Sequence, residues 1–164
     1  MDAATPGRLE EAPFPAGHPD EREMLLQWLD HLRGAVLRNL AGLTDEQAHW
    51  RPPGGLLPVI GVVNHLTHVE WRWVDGTMGG AEVSRSEDEF WPPRDLTASA
   101  ARAAYVERAR RTNAAVRARR LDDVPASGDA PDLRWVLLHL VNETARHAGH
   151  ADATRQLLDG TTGE

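Results

Sequence analysis

The strongest constraint on this chain is the spacing of its apolar residues, which recur at steps of three and four along four separate stretches. Leu25, Leu29, Leu32, Val36, Leu40 and Leu43 form one stripe, and Val59, Val62, Val63, Leu66, Val69 and Trp73 form a second. A thinner stripe of Ala101, Ala104, Tyr105, Ala109, Thr112, Ala115 and Val116 comes next, then one from Val136 through Leu137, Leu140 and Thr144 to Leu158. This is the period of amphipathic helices. No segment alternates with period two, and no β-branched run is bounded by turns.

Punctuation falls between the stripes. Asp20 is placed to cap a helix running to about Leu43, and Thr44-Asp45-Glu46-Gln47 reads as a capping box for a short one. Trp50 to Gly55 breaks it. A second long helix is predicted over 58–78, ended by Gly79-Gly80, and a third from Thr97 to about Arg120. The fourth spans about 132–158, with Gly160 as its stop. Residues 79–96 form a long connection between the second and third helices. The expected fold is all-α, a four-helix bundle over residues 20–160. Residues 1–19, with four prolines and two glycines, are expected to form an extended arm.

Composition closes off several chemistries. The 164 residues include no cysteine, which excludes a disulfide framework, thiolate metal sites and a cysteine nucleophile. Any thiol chemistry needs a thiol from outside. The net charge of −7 argues against nucleic acid as a partner. No apolar stretch approaches a membrane span, and the acidic start does not read as a signal peptide, so the expected location is cytoplasmic.

The last helix carries the most informative residues. Glu143 and His147 are four apart, so they lie one turn apart on a single face beside the core seam. A carboxylate there is costly unless it is paired or bound to a metal. By itself the spacing also fits an exposed surface pair. The second helix adds His65, set among apolar residues with Val62 and Val69. A solitary histidine in such a place also fits a hydrogen-bonded core residue. Bundles nevertheless build metal sites from facing helices, and two nitrogens with one carboxylate leave coordination positions open. Zinc, nickel, iron and manganese all suit that set. His68 is the competing ligand. His150, His139 and Arg146 are candidates to face or support the site.

The motifs Leu43-Thr44-Asp45-Glu46-Gln47, Trp50-Arg51-Pro52, Gly61 to Glu70, and Ala145-Arg146-His147-Ala148-Gly149-His150-Ala151-Asp152 resemble the DinB-like superfamily, the last of them its DUF664 branch. The resemblance covers about residues 22–160. It implies up-down-down-up connectivity, frequent dimerisation, and a divalent metal held by His65, Glu143 and His147. The His–Glu–His set is similar to that of mycothiol-dependent maleylpyruvate isomerase. The activity implied by this resemblance is that of a thiol S-transferase or isomerase. Such an enzyme activates a low-molecular-weight thiol such as mycothiol, as a metal-bound thiolate, against a small-molecule electrophile. A non-catalytic metal- or ligand-binding bundle and a metal-dependent hydrolase are the alternatives.

Overall fold

The computed structural model describes residues 8–163, and these are helical with no β-strand among them. Four long helices make the bundle: α1 (Glu21–Leu40), α3 (Val59–Glu70), α4 (Ala98–Arg117) and α5 (Leu133–Asp159), with the short α2 at Asp45–Ala48. Their ends obey the sequence signals. Asp20 accepts from the amides of Arg22 and Glu23, Thr44 and Gln47 close a reciprocal capping box, and Asp132 caps α5. Gly160, at φ 80°, supplies the left-handed stop of α5.

Side-chain pairs fix the topology. Arg134 meets Glu21, and Asn39 meets Asp152, so α1 and α5 run parallel. Arg117 meets Glu23, and Asn113 meets Asp30, so α4 runs opposite to α1. Val59 to Leu66 pack with the C-terminal half of α1, while Val69, Val74 and Met78 pack with its N-terminal half. The order is up-down-down-up, as the family resemblance implies. Going round the bundle, α1 neighbours α5 and α4, and α3 neighbours both of these.

The core is two apolar clusters rather than one. Between them every long helix contributes polar residues. Arg33 is fully buried, held by both carboxylate oxygens of Glu70 at 2.8 and 2.6 Å, by Asp30 at 2.6 Å and by Asn113 at 2.8 Å. Tyr105, Thr112 and Thr144 are also buried. Opposite charges and a bidentate geometry are what make such a group tolerable away from water.

The second helix departs from the predicted regular winding. After Glu70 it continues to Met78 as a π-helix, Trp71–Met78. The apolar residues explain the change, because Val69, Val74 and Met78 are spaced five and four apart and need a wider turn to share a face. Val74 is thereby buried, and Trp73, expected in the core, is half-buried at its edge.

Of the expected N-terminal arm, residues 1–7 lie outside the described residues. The remainder carries a single 3-10 turn, Leu9–Glu11, laid against α1. Gly34 permits this approach, since a Cβ there would sit 2.4 Å from the Leu9 carbonyl oxygen.

Candidate metal centre

His65 projects from the middle of α3, and Glu143 and His147 project from successive turns of α5. One ligand atom from each lies within 4.8 Å of the others. Glu143 Oε1 is 3.4 Å from His65 Nε2 and 3.3 Å from His147 Nε2. Two ligand atoms bound to one tetrahedral ion at ordinary Zn–N and Zn–O lengths are separated by about 3.3 Å. The donor set therefore fits a divalent ion, and three protein donors leave a coordination position for an exogenous ligand. Among the described residues no other group of three such side chains comes together.

The electrostatics favour ligation. Burial lowers the His65 pKa, against the opposing pull of the Glu143 and Glu89 carboxylates. Burial, with the neighbouring His65, pushes His147 down to about 4. Both rings are thus neutral near pH 7, the form that offers a lone pair. Burial would raise the Glu143 carboxyl, yet the pull of the neighbouring His65, with His147 and His139, outweighs it and holds the pKa below its ordinary value.

The long connection between α3 and α4 folds back onto this site. Its 3-10 turn, Glu87–Phe90, places the Glu89 carboxylate 3.1 Å from His65 Nδ1. Arg72, in the π-helical stretch, pairs with the other oxygen of that carboxylate. Burial would raise the Glu89 pKa, but Arg72 and the Ser86 amide outweigh it and lower it. Phe90 stacks on His65, with ring centroids 4.0 Å apart and planes at 24°, and also touches His147. The turn comes this close because position 61 is glycine: a Cβ there would lie 2.1 Å from the Phe90 carbonyl oxygen.

The other candidates divide by position. His150 reaches the site's edge, its Nδ1 3.2 Å from His147 Nδ1. His68 turns away and bonds the Asn64 carbonyl at 2.8 Å, so it is not in the cluster. Arg146 is exposed. His139, one turn before Glu143, stacks on Trp135 with planes at 4° and packs against Trp73, giving a three-ring aromatic wall beside the centre. Trp135 in that wall is 40% exposed.

Glu89, Phe90, Arg72 and Gly61 do not stand out in the sequence as site residues. Glu89 sits in the acidic patch of residues 79–96, which read as a long connection. The one signal there is Ser86-x-x-Glu89, a capping-box pattern marking a turn, which forms as such.

A family model described as mycothiol S-transferase matches residues 24–160. No curated protein and no solved structure matches the chain.

Proposed function

The chain belongs to the mycothiol S-transferase family, and from that premise we propose that it transfers a low-molecular-weight thiol, mycothiol in the first instance, to a small electrophile at the His65–Glu143–His147 centre. The observation that carries this reading is the convergence of two neutral imidazoles and one carboxylate in a chain without cysteine. Those three residues would hold the divalent ion, zinc foremost with nickel, iron and manganese as alternatives. When bound, the ion supplies a Lewis acid that favours the thiolate over the thiol.

The protein's own groups account for the remaining requirements. His65 and His147 offer lone pairs without first losing a proton, and Glu143 brings one negative charge that moderates the centre's Lewis acidity. Phe90 shields the rings from water on one side. The half-exposed wall of Trp73, Trp135 and His139 lies one turn away along α5 and offers flat apolar surface to the body of the thiol. The carboxylate among the ligands, the set also found in mycothiol-dependent maleylpyruvate isomerase, makes thiol-dependent isomerisation the companion activity. Action as a homodimer in the cytoplasm belongs to the same reading. Among the described residues no helix is long and apolar enough to cross a membrane.

The test is turnover of an electrophile with and without mycothiol, by the zinc-loaded and chelator-stripped protein. Metal- and thiol-dependent conjugation supports the proposal. Turnover without thiol identifies a hydrolase, and ligand binding without turnover identifies a binding protein; either result overturns it.

A further inference from the structure

Glu89 belongs to none of the long helices, yet it is only 5% exposed and both of its oxygens are engaged. One faces His65 Nδ1 at 3.1 Å, and the other pairs with Arg72 and faces the Ser86 amide at 3.4 Å. Ionised carboxylates only accept hydrogen bonds, and a neutral ring has one N–H to give; the nearer contact, Nδ1 to Glu89 at 3.1 Å against Nε2 to Glu143 at 3.4 Å, assigns that proton to Nδ1. His65 then keeps its lone pair on Nε2, the nitrogen turned toward Glu143 Oε1. The backbone anchors this arrangement too, because Asn64 Nδ2 donates to the Glu89 carbonyl at 2.8 Å. Gly61 lets the turn close over α3.

From this geometry we infer that Glu89 is a positioning residue for the centre: it fixes the tautomer and ring orientation of His65 so that Nε2 faces the ion, with Arg72 holding its carboxylate in place. The inference rests on the metal-site reading above and adds a partner supplied by the crossover connection. A ligating histidine whose second nitrogen donates to a carboxylate is a stronger and better-oriented ligand, and loss of such a partner typically weakens metal binding about 10–100-fold.

The test uses the full-length protein. Zinc affinity is measured by competition with a chromophoric chelator for the wild type, Glu89→Ala, Glu89→Gln and Arg72→Gln. Glu89→Ala should bind zinc about 10–100-fold more weakly. Glu89→Gln, whose amide oxygen still accepts from Nδ1, should lose less, and Arg72→Gln should fall between wild type and Glu89→Ala. Unchanged affinity in folded Glu89→Ala overturns the inference.

A second readout needs no metal. Long-range 1H–15N spectra of the imidazoles in the stripped protein should show His65 as the Nδ1–H tautomer, and the Arg72→Gln variant supplies the same comparison if Glu89→Ala does not fold. A wild-type His65 protonated on Nε2 refutes the role. Failure of the wild type to bind zinc, with the Nδ1–H tautomer present, would instead count against the metal-site reading and leave the positioning by Glu89 standing.

Discussion

Residues that a sequence places together by local spacing are the ones most easily read from it. Glu143 and His147 share a helix face by arithmetic, and His65 stands out as a polar side chain in an apolar run. All three converge in the structure. His147→Ala should reduce bound divalent metal from one equivalent to none, as measured by elemental analysis of the purified protein. The lowered histidine pKa values give the metal-free protein a pH signature. A histidine with its pKa below the unfolded value makes the unfolded chain the better proton acceptor between the two. The histidine contribution to stability of the stripped protein should therefore fall as pH drops from about 6.5 toward about 4 and level off below that, where the lowered Glu143 and Glu89 carboxyls continue the decline. Thermal melts across that range check it, with the slope reduced in His147→Gln. Trp135→Ala should raise the KM for the intact thiol several-fold while leaving zinc affinity unchanged, as steady-state kinetics and chelator competition would show.

At the scale of elements, the helices are legible because their caps and stripes are local. The winding of residues 71–78 is not. A stripe read at 3.6 residues per turn takes in Trp73, and only packing against α1 and α5 shows that Val74 is the inward residue. The position of the crossover turn is hidden for a different reason. Glu89 and His65 are 24 residues apart in sequence, and nothing local joins them. The close approach that joins them can be tested at Gly61. Gly61→Ala places a methyl against the Phe90 carbonyl and should cost about 1–3 kcal/mol in urea unfolding, the usual range for overpacking. The same substitution should weaken zinc binding by displacing Glu89.

For the molecule as a whole, the division of the core into two apolar clusters makes the polar layer between them a point of high stakes. Glu70→Ala leaves Arg33 buried without its bidentate partner and should destabilise the protein by about 3–5 kcal/mol in denaturant unfolding. Replacing both residues with apolar ones of similar volume should recover much of that loss. The parallel course of α3 and α4 also dictates that the chain return along the length of the bundle before α4 begins. That return segment carries Glu89 and Phe90, and it covers ligand rings that are only about 5% exposed. The consequence is kinetic. Phe90 closes one side of the site, so release of a bound ion past that side would require the crossover to lift. Phe90→Ala should then accelerate stripping by excess chelator.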